Sequence, residues 1–468
     1  MKLKKNSAKV EILIPKCCIS EQKYILDILF GEFLGLGFSL ATHNESTIKL
    51  YVHDSAESLT VNADFFHKSG SHWLKPESMP KLPLHDWNPR EEGLDVRLIK
   101  ETVPVLYGHA GLIKEANHWH INLDIFGSAF FMLSRYEELI TQSRDVHDRF
   151  PASASVAFKA GFLDRPIVNE YLEILWACMY KLWPSLTRET HQPQTFVSCD
   201  VDQPFDCTVE TISKLTRSCA GDVLKRKAPA LALKRIKRYF FNEVGVYKFD
   251  QNYSFDWYMD LCEQVGIKAA FYFIPTSVET NNGCYELTDK KIIWLMQMID
   301  KRGHEIGVHG SFQTYRDEEK LVNQKELLVQ TLAKSGIKQK IQGNRQHYLR
   351  WESAITPGIL AKAGFKYDTT GGYADQPGFR FGTAHEFYMW GWQDCKMLKL
   401  RQRPLIVMEC TILEKEYMGL TGDAAYNTIM ALNEASKKYG GNFSLLWHNS
   451  SLCSVENKNL FSKVLYSE

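Results

Sequence analysis

No C-x-x-C pair occurs in this 468-residue chain, and its 11 cysteines are odd in number and scattered, with only Cys17 and Cys18 adjacent. That pattern excludes a disulfide framework and a cysteine-based zinc site, and it implies reduced thiols. Charge of one sign is lacking too. The 56 basic and 55 acidic residues leave a net charge of +1, which argues against a nucleic-acid binder acting through a global field. Long hydrophobic runs are missing. The most apolar extended segment, 25–41, is interrupted by Asp27 and Glu32, so no membrane span is expected. The start of the chain is basic, like a signal peptide. The apolar run that follows, 10–14, is too short for one and contains Glu11. A cytoplasmic protein is the expectation. Repeats and low-complexity tracts are absent.

What is present is enough for two or three domains. Residues 1–190 read as an α+β domain. Strand-like runs fall at 10–14, 48–53 and 118–123, and helical patterns at 22–34, 124–141 and 166–183. The polar, proline-containing stretch 185–194 reads as a boundary. From 195 a strand-then-helix rhythm begins, which implies α/β architecture with a parallel sheet. Strands are expected at 195–200, 269–275, 305–309, 341–345, 366–369, 405–412 and 443–448, with helices at 255–265 and 288–301. Residues 205–250 break the rhythm as an insertion. Within 214–238 there are nine Lys or Arg and one acid, Asp222. The plain reading is a solvated helix. The sharper one is peripheral contact with a membrane surface or an anionic lipid-linked saccharide.

In parallel sheets the chemistry collects past the C-terminal strand ends. Those ends deliver Asp200 and Asp202, then His309, Ser311 and Gln313, then Arg345 and His347, then Asp368, Asp375 and Arg380, then His448. Each has a structural alternative. The aspartates could cap turns, the arginines could form ion pairs, and His309 could sit satisfied in a core. Tyr373, Phe379 and Trp351 could stack on sugars but read more simply as core. His118 and His120 share one strand face and could chelate a metal, although a solvated face is the simpler reading.

The order of these residues resembles the NodB-type polysaccharide deacetylases of carbohydrate esterase family 4, over about 195–452. The lead-in Gly303-His304-Glu305-Ile306-Gly307-Val308-His309 is similar to the family's second motif, and Leu446-Trp447-His448 to its fifth. Further likeness lies with a divergent bacterial branch that carries an uncharacterised N-terminal domain. The resemblance implies a distorted (β/α) barrel at 195–452. It implies a divalent metal, zinc by ligand chemistry, and hydrolysis of acetyl groups, most simply N-acetyl, from a saccharide in surface-polysaccharide biosynthesis. It assigns Asp200 as base and His448 as acid, with Arg345 and Asp375 in support. Asp202, His309 and His347 would hold the metal. Two departures bear on this. The family's Asp-Asp is split here as Asp200-Val201-Asp202, so base and ligand could be exchanged. Gln313 stands where the second histidine belongs, so His347, or Ser311 or water, must fill that place. The alternative is a non-catalytic carbohydrate-binding protein on a degenerate deacetylase barrel.

Overall fold

The computed structural model describes residues 10–206, 211–276, 283 and 285–467. The basic start at 1–9 and residues 207–210 of the insertion lie outside the described residues. The chain packs as two compact units. Unit 1 is Met1–Gln194 with Leu349–Val407 and Ala431–Phe443. Unit 2 is Thr195–Tyr348 with Met408–Met430 and Ser444–Glu468. A break falls where the polar stretch ends, but the later part of the chain is shared between the units.

Unit 1 is built on a mixed six-stranded sheet. Its order is Phe38–His43, Val10–Pro15, Thr47–Val52, Ser58–Asn62, His118–Leu123 and Gly108–Lys114. The buried alternation of Val10, Ile12 and Ile14 faces a core that includes Phe126, Phe130 and Tyr171. The helix expected at 124–141 is split into Ile125–Leu133 and Glu137–Ile140, because Arg135 adopts φ 57° between them. The cause is visible in its side chain, which is recruited into a buried ion network. Arg135 Nε lies 2.8 Å from Glu138 Oε1, and Arg380 clasps the two oxygens of Glu138 at 2.9 and 2.8 Å. Ser353 donates to the same carboxylate at 2.6 Å. Thus 349–407 is fastened to the N-terminal part of unit 1 by charge as well as by packing. Burial pushes Glu138 up, and Arg380 and Arg135 more than offset it, holding the carboxyl at about 2.

Unit 2 contains, in chain order, β1 (Thr195–Val201), α1 (Ile212–Leu224), α2 (Pro229–Glu243) and α3 (Phe255–Gln264). There follow β2 (Ala270–Phe273), α4 (Lys290–Lys301), β3 (Glu305–Gly310), α5 (Glu318–Lys334) and β4 (Gly343–Gln346). Last come α6 (Glu409–Leu413), β5 (Phe443–Leu446) and α7 (Val455–Tyr466). The strand order is β4–β3–β2–β1–β5, so 195–200, 305–309 and 443–448 do contribute to one sheet. Pairing is parallel through β1, β2, β3 and β4. The described strand order is an open row rather than a closed ring. α4 shows the helical period that fills the space beside such a sheet, with Ile292, Leu295, Met296 and Ile299 buried.

The strand expected over 405–412 is a correction. Strand pairing covers only Val407–Met408, and α6 starts at Glu409. A short apolar run has no periodicity that separates a buried strand from a buried helix.

Candidate active site

Register brings the polar groups together. Asp200 pairs with Tyr272 on β2, and Tyr272 with Gly307 on β3. Val201, Phe273 and Val308 pair next, and one residue beyond them come Asp202 and His309, the latter paired with Arg345 on β4. Two local features in the lead-in make this possible. Gly303 ends α4 at φ 74°, a left-handed cap that glycine occupies without penalty. At Gly307 a Cβ would come within 2.5 Å of the Tyr272 ring, so only glycine lets β2 and β3 close here. His304 is structural. Its Nδ1 accepts Ala269 N–H at 2.9 Å, and its Nε2 lies 3.1 Å from Glu263.

His309 is buried and its Nδ1 donates to the Arg345 carbonyl at 2.9 Å. That bond fixes the ring and turns Nε2 toward two carboxylates, 3.3 Å from Asp202 Oδ1 and 3.6 Å from Asp200 Oδ2. His347 Nε2 lies 3.7 Å from the same Asp202 oxygen, and its ring packs edge-on against His309 at 4.9 Å. Ligand atoms of Asp202, His309 and His347 all lie within 4.8 Å of one another. Burial pushes the Asp202 carboxyl up, but His347 and His309 more than offset it and hold it well below the usual range. Burial pushes His309 down, and Asp200 and Asp202 more than offset that, raising it. Directly after His347 the backbone takes two successive left-handed residues, Tyr348 at φ 60° and Leu349 at φ 55°. Non-glycine residues there are strained, and such strain concentrates at functional positions.

Gln313, at the position of the missing histidine, is exposed in the turn after β3. Ser311 is buried and its hydroxyl takes the Gln324 amide at 2.6 Å. Of the substitutes considered, His347 is the one that stands beside Asp202 and His309.

His448 follows β5. Its Nε2 lies 3.8 Å from Asp202 Oδ2, and its Nδ1 donates to Glu409 Oε1 at 2.7 Å. The His448 backbone N–H donates to the same oxygen at 2.9 Å. Glu409 is a site residue that the sequence reading missed, and it is only 1% exposed. Burial pushes His448 down, and the Glu409 carboxylate more than offsets it, raising the imidazole well above its ordinary value. Cys410 Sγ is 3.7 Å from His448 Nδ1. Glu409, Cys410 and His448 could therefore in principle chelate an ion. However, burial pushes the thiol up to about 12, and the ring nitrogen nearest it is already engaged by Glu409. A hydrogen-bonded carboxylate–imidazole pair describes these residues better.

Arg345 is fully buried. It donates to Ser198 Oγ at 2.9 Å and stands 4.0 Å from Asp200 Oδ2. The other Asp200 oxygen, Oδ1, is buried and meets no hydrogen-bond donor among the described residues. A carboxylate oxygen in that state is placed to accept a hydrogen bond from something that enters.

The remaining sequence candidates belong to unit 1. Both Asp375 oxygens accept the Ala152 N–H, at 3.0 and 3.1 Å, which gives it a structural task there. Asp368 caps its own loop by accepting Thr370 N–H at 2.9 Å and the Thr370 hydroxyl at 2.7 Å. Arg380 is the ion-pair partner of Glu138 described above. Tyr373, Phe379 and Trp351 are buried and belong to core. His118 and His120 are bonded to the neighbouring strand, through Ser58 at 2.9 Å and Asn62 at 2.9 Å.

Unit 2 is thus an α/β unit whose parallel strands end in a cluster of carboxylates and imidazoles of the kind that could hold a metal ion. Residues 10–184 match the model of a family of unknown function, DUF7033. Among solved structures, the chain is similar to a "putative polysaccharide deacetylase from Mycobacterium smegmatis" at 15% identity and TM-score 0.38, covering 60% of this chain and 84% of that one. It is similar to PuuE allantoinase at 12% and 0.32, and to a "probable Polysaccharide deacetylase from Pseudomonas aeruginosa PAO1" at 10% and 0.30. Each of these two likenesses covers 45% of this chain and 64% of the other. These likenesses are distant and partial. No curated protein matches the chain. Among the described residues, no helix is long and apolar enough to cross a membrane.

Proposed function

We propose that unit 2 is a metal-dependent hydrolase that removes acetyl groups, most simply from nitrogen, from a saccharide of the kind used to build bacterial surface polysaccharides. In this reading the strands of unit 2 belong to a distorted barrel of the deacetylase type. The observation that carries the proposal is the convergence of Asp200, Asp202, His309, His347 and the Glu409–His448 pair on one end of one sheet.

The donor set fits a cation. With its Nδ1 proton committed to the Arg345 carbonyl, neutral His309 presents a lone pair to the Asp202 oxygen 3.3 Å away. Two facing lone pairs call for a cation or a proton between them. Asp202, His309 and His347 would hold a divalent ion, with zinc preferred by its imidazole and carboxylate donors. A divalent ion held there would supply a water of pKa roughly 7 and would polarise the acetamide carbonyl. The Asp200 carboxylate accepts the attacking water's proton through its unpartnered oxygen. Arg345, 4.0 Å from its other oxygen, would orient that carboxylate. His448, held protonated by Glu409, gives a proton to the departing amine nitrogen. Mere binding of a sugar needs neither an orphaned carboxylate nor a charged imidazole on a buried glutamate, which disfavours the binding-module alternative.

Acetate release across a panel of N-acetylated nucleotide sugars and oligosaccharides tests this. Asp200→Asn keeps the shape of the side chain but not its basicity. It is expected to lower turnover about 10²-fold or more with substrate binding nearly unchanged. Equal release by wild type and Asp200→Asn would remove Asp200 from the role of base. No release from any sugar by metal-loaded wild type would favour the binding module.

A further inference from the structure

The insertion of unit 2 is an amphipathic hairpin turned inside out. Its interior holds ion pairs beside buried Leu215 and Ala232: Arg235 Nε reaches Asp222 at 2.7 Å, and Arg238 Nη1 reaches Asp206 at 2.6 Å. Its exterior is apolar. Along α2, Leu233, Ile236 and Phe240 recur at spacings of three and four and so lie on one stripe, which Val244 at the C-cap continues. That stripe faces solvent, with Leu233 67%, Phe240 64% and Val244 72% exposed. Helices of water-soluble proteins ordinarily turn such a stripe to the core. Lys234 and Lys237, both exposed, flank it, and Leu224 at the end of α1 is exposed beside Lys225.

We propose that this hairpin docks the protein on an anionic lipid surface. The stripe would enter the boundary between headgroups and acyl chains, and the lysines would meet the lipid charge. Charge complementarity selects this occupant over a second copy of the chain. Of the nine basic residues in 214–238, Arg235 and Arg238 turn inward and the other seven are exposed, and the one acid, Asp222, is buried in pairs with Arg226 and Arg235. Two such faces meeting would set lysine against lysine. Glu243, at the end of α2, is the exposed acid beside the stripe. The whole chain carries only +1, so the attraction is local to this face. The proposal stands independently of the chemistry assigned to the site.

Co-sedimentation of the full chain with vesicles tests it. One set is phosphatidylcholine alone, and the other contains roughly one-third phosphatidylglycerol, enough for a strongly negative surface. Binding is expected to the anionic set only, and to weaken as salt is raised. Lys234→Glu with Lys237→Glu should lower it about tenfold or more. Leu233→Ser with Phe240→Ser should lower it comparably. Because those side chains are exposed, the circular dichroism spectrum and melting curve should not move. Failure to sediment with either set, or equal binding to both, overturns the proposal. So does a dimer, seen by analytical ultracentrifugation, that Leu233→Ser with Phe240→Ser dissolves, since that would assign the stripe to a second copy.

Discussion

Asp202 has an imidazole within 4 Å of each of its oxygens, with His309 and His347 on one and His448 on the other. Removing one neighbour changes what the rest can hold. His309→Ala deletes the best-oriented donor, and metal stoichiometry by mass spectrometry is expected to fall to background. An unchanged stoichiometry would dismiss the assignment. Glu409 acts through His448. Glu409→Gln removes the charge that raises the imidazole, so the ring deprotonates at lower pH. In the proposed mechanism the acid form is the active one, so the alkaline limb of the pH–rate profile should move downward, and turnover should drop about tenfold or more. A uniform loss with no movement of that limb would mean a purely structural role. That Asp200, Asp202, His309, Arg345, His347 and His448 gather at one end of the sheet was legible because each lies at or just past a strand end. Glu409 was not, since a lone glutamate in an apolar run carries no signal until the fold sets it beside a histidine.

At the scale of elements, hydrophobic period and punctuation located most of the parallel strands. TFVSCD and EIGVH form β1 and β3 within a residue of the expected limits. The misses share a physical cause. Helix 124–141 breaks at Arg135 because a tertiary ion network outweighs local propensity, and 405–412 changes type midway because burial on both sides erases periodicity. The close approach of β2 to β3 rests on Gly307. Gly307→Ala would push a methyl into the Tyr272 ring, and overpacking of this kind costs about 1–3 kcal/mol. The urea midpoint should fall accordingly. Wild-type stability in that variant would show that the ring swings aside without cost.

Across the whole molecule, unit 1 depends on charges buried without water. Glu138→Gln leaves Arg135 and Arg380 short of a counter-charge, which typically costs about 3–5 kcal/mol. Glu138 also predicts an acid profile. Its folded value is about 2 against an ordinary 4.5, so its contribution is complete above the ordinary value and is lost as pH falls toward 2. Denaturation midpoints at stepped pH should show the wild type losing this advantage over Glu138→Gln between those values, and parallel curves would contradict it. Those same residues set a timetable for synthesis. The chain leaves unit 1 at Gln194, returns at Leu349, leaves again after Val407 and returns for Ala431–Phe443. A nascent chain that has emerged only to residue 348 holds Arg135 and Glu138 but not Arg380, and it lacks the last segments of that core. Domains ordinarily fold from the N-terminus as they appear. Here the unit that is started first cannot be finished until Phe443 has emerged, so its opening section must wait on the ribosome for partners encoded far along the chain.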